Sequence, residues 1–61
     1  TLESYNKAKN ILTEFIETNG KITAAEYRDL IDTNRKNAII LLEYFDQARI
    51  TKRNGNDRTL F

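Results

Sequence analysis

The sequence predicts a small α+β domain in which three helices are followed by a β-hairpin, and three observations support this fold class. Residues 2–18 and 34–48 each repeat apolar side chains at helical spacing. A shorter helical segment lies between them and is bounded by turn-forming residues. Residues 50–61 change to an extended pattern that is interrupted by the turn sequence Asn-Gly-Asn-Asp.

The first helix is predicted over residues 2–18. Its inward stripe consists of Tyr5, Ala8, Ile11, Leu12, Phe15 and Ile16. Gly20 provides a left-handed stop, because a residue without Cβ adopts positive φ at little cost. Residues 21–23 are too few for a helix and contain two β-branched side chains, so they are predicted to form a minimal strand.

The second helix is predicted over residues 24–31. Thr23 is placed to cap its start, because Glu26 follows three positions later as a capping box requires. Tyr27, Leu30 and Ile31 are predicted to point inward.

The third helix is predicted over residues 34–48, after a turn of short polar side chains that compete for local backbone groups. Thr33 is the predicted N-cap. The core face consists of Ala38, Leu41, Leu42 and Phe45. Two short helices joined by a tight turn form a helix-turn-helix over residues 23–48.

The hairpin is predicted to have arms at residues 50–53 and 58–61, with Ile50 and Leu60 inward. Lys52, Arg53 and Arg58 then lie near its turn. A basic hairpin that follows a helix-turn-helix is a wing. The predicted architecture is therefore a small winged helix, with three helices packed on an antiparallel sheet in a single domain of residues 1–61.

The composition excludes several classes of function. The chain of 61 residues has no cysteine, histidine or methionine, so we expect no disulfide, no thiolate metal site and no histidine general base. No carboxylate pair has the spacing of an acid–base or metal motif, and there is no glycine-rich phosphate loop. We therefore expect a cofactor-free, non-enzymatic monomer. The longest apolar run is Ala-Ile-Ile-Leu-Leu, and together with the absence of a signal peptide it predicts a cytoplasmic protein without membrane contact. The lack of an initiating methionine suggests a piece of a longer protein.

The charge is distributed unevenly along the chain. Residues 1–32 hold four basic and six acidic side chains, whereas residues 33–61 hold six basic and three acidic ones. Such asymmetry indicates that the second half meets an anionic partner. The alternative is a solvated surface on which the charges are scattered without function.

Two cations stand where a helix favours anions. Arg35 and Lys36 occupy the start of the third helix, which carries about half a positive charge from its free N–H groups and macrodipole. Such a positive focus favours a phosphate, although the pair could also be solvated or bound to Asp32. Asn34 and Asn37 could contact bases or cap the helix, and capping is the better interpretation for Asn34. The wing cations could bind a sugar–phosphate backbone or protect a strand edge.

Three segments together resemble a known family: "KITAAEYRDL", "RKNAIILLEYFD" and "ITKRNGND". The matching positions are Ile22, Thr23, Tyr27, Arg28, Asp29, Arg35, Lys36, Ala38, residues 42–46, Thr51, Lys52, Arg53 and Gly55. From residue 22 to the end, the chain resembles the C-terminal winged-helix module of the bacterial selenocysteine-specific translation elongation factor. It departs from that pattern at residues 31–34, which lack an expected glycine, and at Asn37, where a larger apolar residue is expected.

This resemblance implies an RNA-binding role. In that family, a GTPase that also binds selenocysteinyl-tRNA is tethered beside a UGA codon by modules that hold an mRNA hairpin, the selenocysteine insertion element. The resemblance places RNA at Arg35, Lys36, Arg53 and Arg58, with Arg28 as a further candidate. Asn37 at the helix start and Lys52 in the wing complete the candidate RNA-binding set.

Two other functions remain open at this point. A winged helix could be the DNA-binding domain of a transcriptional regulator, or it could bind only protein through Tyr44 and Ile40. The outer face of the third helix, with Ile40, Glu43 and Gln47, is poor in cations. A reader of duplex DNA usually carries its contacts along that face, so the pattern favours RNA.

Overall fold

A computed structural model describes residues 2–61 and has the predicted winged-helix architecture. Three helices pack with a three-stranded antiparallel sheet whose strand order is β1-β3-β2. The elements in chain order are α1 (Leu2–Asn19), β1 (Ile22–Thr23), α2 (Ala24–Leu30), α3 (Arg35–Gln47), β2 (Thr51–Asn54) and β3 (Asp57–Leu60). Within residues 2–61, none of these helices has the length and apolar character that crossing a bilayer requires.

Side-chain caps set the starts of α2 and α3. The Glu26 amide donates to Thr23 Oγ1 at 3.1 Å and the Thr23 amide donates to Glu26 Oε1 at 2.9 Å, which confirms the capping box. The predicted cap of α3 was wrong by one residue. Asn34, not Thr33, accepts from the Asn37 amide, at 2.8 Å, which confirms capping as the interpretation for Asn34. An Asn carbonyl reaches this amide as well as a hydroxyl does.

Helices α2 and α3 end in the same way, each with a non-glycine residue in the left-handed conformation. Asp32 has φ 55° and Arg49 has φ 61°. After α3, the Ile50 amide donates to the Phe45 carbonyl and the Arg49 amide to the Asp46 carbonyl, the pattern of a Schellman motif. Asp32 occupies the equivalent position after α2, so it fills the left-handed site in the turn where the family resemblance led us to expect glycine.

The core lies where the three helices meet the sheet. It contains Leu12, Ile16, Ile22, Tyr27, Ala38, Leu42 and Phe45, each no more than 3% exposed. The predicted stripes of α1 and α3 supply most of it. Two inward predictions were wrong, because Leu30 is 42% and Leu60 is 38% exposed. Each is the last residue of its element, Leu30 of α2 and Leu60 of β3.

Each strand of the hairpin lies one residue nearer the turn than predicted, so the loop between β2 and β3 is only Gly55 and Asn56. Gly55 has φ 65°, and glycine at the first loop position fits a type II′ turn. In the sheet, Arg58 pairs with Ile22 on one side and with Arg53 on the other. Antiparallel partners share a face, so these three side chains lie on the face directed toward the helices.

Candidate nucleic-acid interface

The start of α3 is an exposed positive site. Arg35 and Lys36 are both exposed, and the first turn contains no acidic residue. The Asn34 cap binds the Asn37 amide, which leaves the Arg35 and Lys36 amides without an intrahelical acceptor. The ion pairs within residues 2–61 join Lys21 to Asp57, Arg28 to Asp29 and Arg58 to Asp46. Arg35 and Lys36 are in none of them, so the alternative pairing with Asp32 does not occur.

A groove of about 270 Å³ joins this helix start to the wing. Three arginines from three different elements line it, Arg35 of α3, Arg53 of β2 and Arg58 of β3, together with Asn56 of the wing loop. Its remaining wall is formed by Thr23, Ala24, Ala25 and Ile39. The fold therefore brings together cations from both predicted regions, and a concave surface with this charge is suited to an anion such as a phosphate.

Arg58 takes a different position from the other predicted cations. It is 4% exposed, and its Nε donates to Asp46 Oδ2 at 3.2 Å. Asp46 neutralises most of its charge, because the pair is largely out of water. Arg53 is exposed, and its Nε donates to the Gly55 carbonyl at 2.9 Å. Arg53 is thus the wing cation available to a ligand on this side.

The other predicted residues lie outside this groove. Lys52 is exposed, and it projects from the opposite face of the sheet from Arg53, since neighbouring strand residues alternate. Arg28 pairs with Asp29 at 3.1 Å on α2. The Asn37 side-chain amide donates to Thr33 Oγ1 at 3.3 Å, so part of its capacity is used within the turn. Edge protection fits Lys52 on the edge strand β2 and not Arg58 on the central strand.

The outer face of α3 carries a second groove, which is lined by three uncharged residues and one acid. Ile40, Glu43, Tyr44 and Gln47 line about 280 Å³ of it, and none of them is a cation. Ile40 is 54% and Tyr44 is 56% exposed. Tyr44 packs edge-on against Tyr5 of α1, with ring centroids 5.4 Å apart.

Sequence reasoning missed two parts of this site. Asn56 was treated only as a turn residue, although it lines the groove beside Arg53. Asp46 was assigned no role, although it accepts a hydrogen bond from Arg58. The burial of Arg58 follows from the sheet register, which pairs it with the buried Ile22 of β1.

Comparisons with known proteins agree on one family. The protein-family model described as "Elongation factor SelB, winged helix" matches residues 14–60. The selenocysteine-specific elongation factor of Escherichia coli K12 is 41% identical over 51 residues, covering 84% of this chain and 8% of its own length. The corresponding protein of Haemophilus influenzae is 35% identical over 60 residues, covering 98% of this chain and 9% of its own length.

A solved structure resembles the whole fold. It is described as the mRNA-binding domain of elongation factor SelB from E. coli in complex with SECIS RNA, and it superposes with a TM-score of 0.88 at 36% identity. The match covers 95% of this chain and 48% of that one. This chain therefore spans about half of that domain and less than a tenth of the curated relatives.

Proposed function

Since the chain belongs to the winged-helix family of elongation factor SelB, we propose that it is an RNA-binding module that holds a selenocysteine insertion hairpin of mRNA. The observation that carries this proposal is the close likeness to a domain whose structure contains SECIS RNA. In the longer protein, the module tethers a selenocysteine-specific elongation factor to its message for UGA recoding. GTP and selenocysteinyl-tRNA bind elsewhere in that protein.

The proposed contact surface combines the start of α3 with the inner side of the wing. Arg35, Lys36 and Arg53 are exposed cations without a carboxylate partner among residues 2–61, and each can neutralise one phosphate. Lys52 extends the surface around the wing. Arg58 is buried beneath this surface and is not counted as a phosphate-binding cation, because its charge is already paired with Asp46.

The shape of RNA favours this arrangement over a DNA-reading one. The major groove of A-form RNA is too deep and narrow for side chains to read, so proteins recognise hairpin loops and bulges through phosphates and exposed bases. A helix start beside a wing can contact such a loop without laying the helix in a groove. The outer face of α3, which a DNA reader would insert, offers Ile40, Glu43 and Gln47 instead of cations.

The remaining properties follow from this role. We propose that the chain is a winged-helix module, the last one, of a longer cytoplasmic factor. It acts by binding alone, as a monomer without cofactor, and any catalysis belongs to other domains.

The test is a titration of the protein with a SECIS hairpin, a scrambled hairpin and duplex DNA of equal length. If three exposed cations neutralise phosphates, log K should fall against log salt with a slope of about −2 to −3. Arg35→Ala with Lys36→Ala should weaken hairpin binding by about 2–4 kcal/mol, because charge-assisted hydrogen bonds contribute about 1.5–3 kcal/mol each before non-additivity. It should also make the slope shallower by about one to two units.

The matched control is Lys7→Ala with Lys9→Ala, which removes the same charge from α1, away from the groove. It should leave affinity nearly unchanged. Equal competition by duplex DNA would move the assignment to the DNA-binding alternative. A complex insensitive to salt would indicate protein contact through Tyr44 and Ile40.

A further inference from the structure

We propose that Asp46 is a positioning residue for RNA binding, because its single carboxylate fastens both arms of the wing to α3 and so holds Arg53 beside Arg35. This inference rests on the proposed function for its consequence, although the fastening itself is a property of the free protein. Nothing in the comparisons assigns a role to this side chain.

Both oxygens of the Asp46 carboxylate are used. Oδ1 accepts a hydrogen bond from Thr51 Oγ1 at 2.6 Å, and Oδ2 accepts from Arg58 Nε at 3.2 Å. Thr51 is 1% and Arg58 is 4% exposed, whereas the Asp46 side chain is 22% exposed. Thr51 begins β2 and Arg58 lies in β3. One acid in the last turn of α3 therefore reaches both strands of the wing.

The wing needs such a fastening. A two-stranded hairpin of four-residue strands is marginally stable by itself. Strand β1 adds only two residues of pairing to it. An acid at the C-terminal end of a helix also faces the negative end of the macrodipole, which disfavours it unless a cation compensates. The buried Arg58 supplies that compensation.

The fastening determines where Arg53 stands. Arg53 is the direct cross-strand partner of Arg58 and shares its face of the sheet. Both arginines line the groove that contains Arg35, and both also line a smaller groove of about 200 Å³ with Glu43, Asp46 and Gln47. If the wing moved away from α3, Arg53 and Arg35 would no longer face one ligand.

Electrostatics alone and a positioning role predict opposite changes in RNA affinity when the Asp46 charge is removed, which makes the inference testable. Asp46 is an acid beside a surface proposed to bind a polyanion, so its removal should strengthen binding if only electrostatics matters. If Asp46 positions the wing, its removal should weaken binding despite the more positive net charge.

The experiment compares Asp46→Asn with Glu43→Gln, since both remove one negative charge from α3. Of these two acids, only Asp46 forms an ion pair within residues 2–61. Hairpin affinity is measured at a temperature where circular dichroism shows each variant folded. Asp46→Asn should weaken binding about fivefold or more, because the ion pair with the buried Arg58 is lost and one of the two acceptor oxygens is replaced by a donor. Glu43→Gln should bind as tightly as the parent or more tightly. Thr51→Val, which keeps every charge and breaks only the hydroxyl bond, should weaken binding about two- to fivefold.

Amide hydrogen exchange of the free protein decides the inference separately from RNA binding. In Asp46→Asn, the amides of β2 and β3 should exchange about tenfold faster, while those of α1 change far less. Thr51→Val should give a smaller change of the same kind, and it keeps the test available if Asp46→Asn does not fold. Unchanged wing exchange in a folded variant, or tighter hairpin binding by Asp46→Asn, would overturn the inference. Failure of the parent protein to bind the hairpin would instead refute the proposed function.

Discussion

The Tyr27→Phe substitution should destabilise the protein at neutral pH and stabilise it at alkaline pH. Tyr27 is fully buried, and its hydroxyl donates to the Ala8 carbonyl of α1 at 3.0 Å. At neutral pH the substitution removes this hydrogen bond, which ties α2 to α1, at a cost of about 1 kcal/mol. The Ala8 carbonyl lies within α1 and keeps its helical partner, so no larger penalty arises.

At high pH the parent protein loses stability through ionisation of Tyr27, whereas the phenylalanine variant does not. Burial raises the pKa of Tyr27 from 10.0 to about 12, because the phenolate is poorly solvated inside the protein. The folded state thus holds its proton more tightly than the unfolded state. The stabilisation is complete below pH 10 and is lost as the pH rises toward 12. The loss is about 2 kcal/mol at pH 11.5, so there the phenylalanine variant should be the more stable by about 1 kcal/mol.

The assay is urea unfolding of both proteins at pH 7, 10 and 11.5. All other ionisable groups are common to the two, so their contributions cancel in the difference. Tyr44→Phe is the matched control, since Tyr44 is 56% exposed, and its difference from the parent should stay small at every pH. A stability difference for Tyr27→Phe that keeps one sign from pH 7 to 11.5 would refute the reasoning.

Two further stability changes follow from the core and the helix ends. Phe45→Ala should cost about 3–5 kcal/mol, because Phe45 is fully buried and the change leaves a cavity. That is most of the stability of a domain this size, so the variant should already be largely unfolded at room temperature. A near-native melting curve would contradict the assigned core. Arg49→Gly should raise stability by about 1 kcal/mol, because Arg49 has φ 61° at the end of α3 and glycine relieves the strain there. A lower unfolding midpoint for this variant would show that the Arg49 side chain contributes more than its backbone conformation costs.

Most of the fold could be predicted because its signals are local. The apolar stripes of α1 and α3, the capping box at Thr23 and the turn sequence Asn-Gly-Asn-Asp each act over a few residues, so they can be recognised in the sequence. The errors fell at element ends. Leu30 continues the helical stripe of α2 but lies where the helix stops, and its exposure of 42% depends on what the rest of the chain covers.

The candidate site was predicted as a set of charges and not as an arrangement. The sequence by itself determined that cations gather at the start of α3 and on the wing, since both are local features of its second half. Only the tertiary structure decided which cations face one groove. Pairing of β3 with β1 brings Arg58 beside Ile22, and the packing of the sheet on α3 brings it to Asp46. These contacts join residues far apart in the chain, and a strand's register assigns each side chain to one face or the other. For that reason Arg58 lies buried against Asp46, while Arg53, its neighbour across the hairpin, is exposed.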